Sequence, residues 1–99
     1  MDQRMAFQLL YSNAARAEIK VLRAFDRQRI VSTVESLLRH QPTNTSRSRI
    51  KQMTQPFWSQ YRLRVDDFRV YFDVDEVHQT VHILHVIAKA TDSTPENEP

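Results

Sequence analysis

Residues 58–74, WSQYRLRVDDFRVYFDV, alternate apolar and polar positions with a period of two. Tyr61, Leu63 and Val65 alternate with Arg62 and Arg64; Phe68, Val70, Phe72 and Val74 alternate with Arg69, Tyr71 and Asp73. Successive side chains of a strand point to opposite faces, so this pattern predicts two strands, each with one apolar and one polar face. Asp66-Asp67 is the turn between them, because Asp tolerates turn conformations and bonds to its own backbone. A short-looped hairpin then projects Arg62, Arg64 and Arg69 from a single face. Three guanidinium groups there repel one another unless something anionic lies nearby, and that face is where function is expected.

Upstream, Met5–Tyr11 (MAFQLLY) predicts a first strand, and Ser12 or Asn13 a helix cap. From Ala14 to Phe25, Ala15, Ile19 and Leu22 follow helical spacing, with Ala14, Val21 and Phe25 beside them. Arg16, Lys20 and Arg23 form a basic stripe on the outer side, read as a solvated face. Asp26 is expected to cap a second helix carrying Ile30, Val34, Leu37 and Leu38, which ends before Pro42. So short a break makes the two helices a hairpin. His40 falls at the end of the second helix, where a cation suits the helix dipole.

Gln41–Ser48 is a polar loop, followed by an expected edge strand from about Arg49 to Met53. After the arginine hairpin, residues 75–78 (DEVH) make the next connection to Thr80–Ala88 (TVHILHVIA), a β-branched run that reads as a central strand. Strict alternation there puts Val81, Ile83, His85, Ile87 and Lys89 on one face and His82, Leu84, Val86 and Ala88 on the other. The expected fold is α+β: a small, mostly antiparallel sheet in the order β-α-α-β-β-β, with a fourth late strand possible, and a helical hairpin packed on one face. The arginines alternate out of phase with the hydrophobes and belong to the opposite, open face.

Composition sharpens this picture in three ways. There is no glycine, which excludes glycine-rich phosphate loops and dinucleotide fingerprints and leaves tight turns to Asn, Asp, Ser and Pro. There is no cysteine, so disulfides and thiolate metal sites are excluded and a reducing compartment is consistent. The net charge of +2 hides an asymmetry: residues 91–99 hold Asp92, Glu96 and Glu98 but none of the fourteen Lys/Arg, so residues 1–90 carry +5. A basic body suits a polyanionic partner, nucleic acid or acidic protein, with ordinary solvated surface as the alternative. Residues 1–90 are expected to form one domain and 91–99 a disordered acidic tail. No apolar run approaches the ~18 residues that span a bilayer, and the apolar N-terminal stretch is too short and interrupted for a signal peptide. A soluble, cytoplasmic protein is expected.

The strand, helical hairpin, basic loop and hairpin Tyr61-Arg62-Leu63-Arg64-Val65-Asp66-Asp67-Phe68-Arg69-Val70, followed by a valine-rich last strand, resemble the RelE/ParE superfamily of type II toxin–antitoxin toxins. The resemblance covers roughly residues 5–90. It implies one of two activities, RelE-like, ribosome-dependent, metal-independent mRNA cleavage or ParE-like poisoning of DNA gyrase, with a degenerate toxin that only binds its antitoxin as a third reading. It also implies a cognate antitoxin that wraps the toxin. No cofactor and no membrane are implied, and the ribosome with its mRNA is the favoured target. Arg69 matches the hairpin arginine that stabilises the phosphate in the nucleases. Arg62 stands where such nucleases often have Lys; it binds phosphate but is a poor proton acceptor. Lys89 falls near the basic residue at the end of the last strand. The family's aromatic after that strand is missing, because Lys89-Ala90 runs into the acidic tail. The leaving-group acid is then absent, unneeded or supplied by His85.

The candidate catalytic set is therefore Arg69, Arg62, Lys89 and His85. His85 titrates near neutrality in its unperturbed form, at about 6.5; a hydrogen-bonded structural histidine is the alternative. Arg64, Arg47, Arg49, Lys51 and Tyr71 are the candidate RNA-binding residues. Phe57 and Trp58 are read as core edges near Pro56, with base stacking as the alternative, and Asp73 as a partner for an arginine. No metal site is expected, since His82 and His85 point to opposite faces of a regular strand.

Overall fold

A computed structural model describes residues 6–45, 49–54 and 58–89. The elements run β1 (Gln8–Tyr11), α1 (Asn13–Lys20), α2 (Ala24–Leu38), β2 (Ile50–Gln52), β3 (Tyr61–Val65), β4 (Phe68–Asp75) and β5 (Thr80–Ala88). The five strands form one sheet in the order β1-β5-β4-β3-β2. Every pairing is antiparallel except β1 with β5, which is parallel. The expected α+β architecture holds, as a mixed sheet with the helical hairpin on one face. Gln41–Ser48 lies partly, and residues 1–5, 55–57 and 90–99 wholly, outside the described residues. Arg47, Phe57 and the acidic tail fall there.

The apolar positions meet between helices and sheet. Ala15 and Ile19 of α1 and Ile30, Val34 and Leu38 of α2 pack with Leu63, Val65, Val70, Phe72, Val81, Ile83 and Val86 in one buried cluster. Leu63, Val70, Phe72 and Ile83 are wholly buried there. Truncating a fully buried Phe to Ala costs about 3–5 kcal/mol, so Phe72 in the middle of this sheet anchors the fold.

Ser12 caps α1 as expected, its Oγ accepting the Ala15 N–H at 2.9 Å. The helix stops at Lys20, five residues short of the expected Phe25. Its end is closed from outside: the Arg27 guanidinium donates to the carbonyls of Lys20 (3.3 Å) and Leu22 (3.1 Å). A cation at those carbonyls also complements the helix dipole. Breaking the helix there turns Leu22 inward and leaves Val21 and Phe25 exposed. The cap of α2 is Arg23, not Asp26. Asp26 sits in the first turn instead, bound to the Arg23 guanidinium at 3.2 Å. His40 lies beyond the end of α2; the cation at that end is Arg39, bidentate to Glu35 at 2.8 Å for each bond. This pairing holds the Glu35 carboxyl below its usual range. Arg39 also binds the Phe7 backbone in both directions, fastening the chain before β1 to the end of α2.

The largest departure from the periodic pattern lies in β5. Tyr71 pairs with His85 and Phe72 with Ile83, so Leu84 is an extra residue opposite the Tyr71/Phe72 step, a β-bulge. The bulge resets the alternation. Val86 joins Val81 and Ile83 in the core, and His85 moves to the face of Tyr71 and Asp73, the same face as His82. The expected grouping of His85 with Ile83 is therefore wrong, and so is the premise that His82 and His85 face apart.

Candidate functional site

The open face of the sheet carries cations in register. Lys51 of β2 pairs with Arg62 of β3, Arg62 with Tyr71 of β4, and Tyr71 with His85 of β5. Directly paired residues of neighbouring strands share a face, so Lys51, Arg62, Tyr71 and His85 form one row across four strands. The next row on the same face is Arg64 opposite Arg69, with Ile87 beyond. Arg49 adjoins it, its carbonyl accepting the Arg64 N–H at 2.9 Å. Residues whose sequence positions gave no direct sign of proximity, Lys51 and His85 among them, are thus assembled by strand pairing. Arg64 and Arg49 are exposed, whereas Arg62, Arg69 and Lys51 are half-buried. Lys89 follows β5 on the surface, its N–H bonded to the Asp67 carbonyl at 2.7 Å.

The aromatic groups differ from expectation. Tyr71 is wholly buried although it faces away from the helices. Trp58 covers it, with ring centroids 4.5 Å apart. Tyr71 therefore offers no ring surface to a base, and Trp58, 38% exposed, does. The Trp58 ring also meets His85 edge-on, at 5.0 Å and 83°. Asp73 is engaged by the backbone, accepting the Gln60 N–H at 2.7 Å, while the Gln60 side chain accepts the Val74 N–H at 2.8 Å. The expected pairing of Asp73 with an arginine gives way to this staple, which fixes the entrance to β3.

The residue that sequence reasoning missed is Glu18 of α1. Its Oε2 lies 3.0 Å from His85 Nδ1, and its Oε1 accepts the Val86 N–H at 2.7 Å. Pairing of β1 with β5 ends at Tyr11 and Ile83. Beyond that point α1 satisfies the edge of β5: Ser12 N–H donates to the Ile83 carbonyl (2.9 Å), Ser12 Oγ–H to Leu84 (2.8 Å), and Glu18 takes Val86. Glu18 and His85 are 67 residues apart, so no local spacing linked them. A concavity of about 490 Å³ opens here, lined by Ser12, Ala14, Trp58, Leu84 and His85. Among the described residues no group of three or more His, Cys, Asp or Glu is placed to hold a metal ion. Nor is any described helix long and apolar enough to cross a membrane.

Chemically, the face combines guanidinium and ammonium groups of the kind that can pair with phosphate oxygens, an indole exposed enough for a base to stack on, and an imidazole held by a carboxylate. A helical hairpin on one face of a mixed five-stranded sheet defines a class of small α+β proteins whose fold solved RelE toxins share. The toxin–antitoxin complex RelBE2 from Mycobacterium tuberculosis contains a chain of this fold with a TM-score of 0.76, 20% identity and coverage of 91% of this chain and 99% of that one. The RelE–RelB complex of Pyrococcus horikoshii OT3 gives 0.70, 16%, 89% and 100%. A mutant of the E. coli toxin RelE in the free state gives 0.67, 18%, 90% and 88%. Such identities speak for the fold. Membership rests on sequence: residues 9–92 match the model of the family described as the ParE toxin of type II toxin–antitoxin system, parDE, and the chain belongs to that family. No curated protein sequence matches it closely enough to count as a relative.

Proposed function

We propose that this toxin cleaves mRNA on the ribosome, as RelE-like toxins do, and that a cognate antitoxin holds it inactive. The observation that carries the reading is the in-register row Lys51–Arg62–Tyr71–His85 with Arg69 and Arg64 beside it. The RNA 2′-oxygen attacks the adjacent phosphorus as a base takes its proton. The P–O5′ bond breaks and an acid protonates the departing 5′-oxygen, leaving a 2′,3′-cyclic phosphate and a 5′-hydroxyl. The pentacoordinate phosphorane carries extra negative charge, which Arg69 and Arg62 neutralise; the guanidinium fork matches two phosphate oxygens at once and stays charged. Trp58 stacks on a base and so sets the register of the strand. His85, an imidazole held by the Glu18 carboxylate at the end of the row, is assigned the proton transfer. The antitoxin is supported by the structural neighbours, several of which are toxin–antitoxin complexes.

The match to the ParE family favours a second reading, in which the same basic face binds DNA gyrase and no RNA is cut. Primer extension on a reporter mRNA after brief induction, with a gyrase cleavage assay on the same cultures, separates the two. Cuts inside translated codons that fall by ~10²-fold or more in Arg69→Ala, with the variant folded, are expected. Intact mRNA with trapped gyrase–DNA complexes moves the protein to the second reading.

A further inference from the structure

We infer that Glu18 is the positioning residue of this site: its carboxylate fixes the tautomer and orientation of His85 so that Nε2 is the nitrogen presented to RNA. The inference rests on the nuclease reading and deepens it. An ionised carboxylate only accepts hydrogen bonds. Glu18 accepts two, from the Val86 N–H through Oε1 and from His85 through Oε2. The ring nitrogen that faces it, Nδ1, therefore carries the hydrogen. A neutral His85 then has its lone pair on Nε2, and a charged one has its transferable proton there. The same side chain does both tasks because the Val86 N–H, next along the chain from His85, lies on the stretch of the β5 edge that β1 leaves unpaired and α1 crosses. The edge-on Trp58 ring at 5.0 Å limits reorientation of the imidazole, while the His85 side chain remains 38% exposed and open to a substrate.

A second histidine–carboxylate pair in the molecule sets this one apart. His78 Nδ1 lies 2.7 Å from Asp75, but both belong to one turn, three residues apart, and the histidine side chain is 76% exposed. That contact is a local turn bond. The Glu18 contact instead joins α1 to β5, uses both carboxylate oxygens, and lies beside the phosphate-binding row. Carboxylate, imidazole and reacting group in line is the arrangement by which hydrolases hold a histidine in its working tautomer.

The test compares wild type, Glu18→Gln, His85→Ala and the double variant, each checked for folding by circular dichroism. Glutamine retains an oxygen for the Val86 N–H and turns its NH₂ toward Nδ1, which must then accept. Nitrogen NMR of the neutral imidazoles in the free protein is expected to show hydrogen on His85 Nδ1 in wild type and on Nε2 in Glu18→Gln. Single-turnover cleavage on programmed ribosomes is expected to fall ~10²–10⁴-fold in Glu18→Gln with ribosome binding unchanged. In the His85→Ala background, Glu18→Gln is expected to add no further loss, since the two residues act as one unit. Hydrogen on Nε2 in wild type, an unchanged tautomer in Glu18→Gln, wild-type cleavage by that variant, or additive losses in the double variant would each overturn the inference. No cleavage by wild type, with the expected tautomer exchange present, overturns the nuclease reading and Glu18's part in it while leaving the Glu18–His85 geometry intact.

Discussion

In a chain without glycine, left-handed backbone positions fall to residues that resist them: Asp66, at φ 54°, and Gln79, at φ 51°. Asp adopts this region more readily than most because its short side chain bonds locally, and Asp66 gains a second role there. Its carboxylate receives the Arg29 guanidinium through two bonds, at 3.0 and 2.9 Å, which ties α2 to the β3–β4 turn. This turn was legible from the Asp66-Asp67 pair; its partner on α2 was not, since nothing local relates positions 29 and 66. Tyr11 shows the opposite case, a group whose burial has no compensation. Its hydroxyl is buried without a hydrogen-bond partner among the described residues. Burial, with the charge of Glu35 beside it, pushes its pKa up to about 12. The folded state thus favours the neutral phenol. That contribution is complete below the unfolded pKa of about 10 and is lost as pH rises through 10 toward 12. Tyr11→Phe is expected to leave stability at pH 7 unchanged or raise it by up to about 1 kcal/mol. It should also flatten the decline between pH 10 and 12. Urea unfolding at pH 7 and pH 11 checks both.

At the scale of elements, the periodic pattern served well where strands and helices are regular and failed where they are interrupted. Ile50–Gln52, Tyr61–Val65 and Phe68–Asp75 appear close to where alternation puts them. The first helix does not end where its apolar positions end, because its stop comes from Arg27 reaching back and not from a glycine or proline. The β5 bulge was invisible for a similar reason. A single extra residue in a run of β-branched positions leaves no mark on composition, yet it exchanges the faces of everything after it. Ser12 joins the two regions, capping α1 while donating to the Leu84 carbonyl at the bulge. Ser12→Ala removes both bonds and is expected to destabilise the fold by about 1–2 kcal/mol, measured as a lower urea midpoint with an unchanged slope.

For the whole molecule, the decisive property is charge gathered on one surface. Lys51, Arg62, Arg64, Arg69 and Arg49 lie on or beside the same open face. Binding to a single-stranded RNA oligonucleotide is therefore expected to weaken steeply with salt, and Arg64→Ala to reduce the slope of log K against log salt by about 0.7, the value for one phosphate contact on a single strand. Titrations from low to physiological salt measure it; a slope unchanged in Arg64→Ala would remove that residue from the interface.

The alternation of Arg62, Arg64 and Arg69 with Leu63, Val65, Val70 and Phe72 was enough to determine the hairpin, its two unlike faces and the side on which a helical hairpin must pack. These follow from a period of two and the burial of apolar surface, both local properties of the chain. The histidine at position 85 and its carboxylate at 18 belong to a different order of information. Their meeting depends on where β1 stops pairing, on how α1 crosses the edge it leaves, and on one bulged residue that turns His85 toward Tyr71 and Trp58. Each of these is a relation between segments distant in sequence, set by which backbone groups still needed partners once the sheet had formed, and only the tertiary structure decides it.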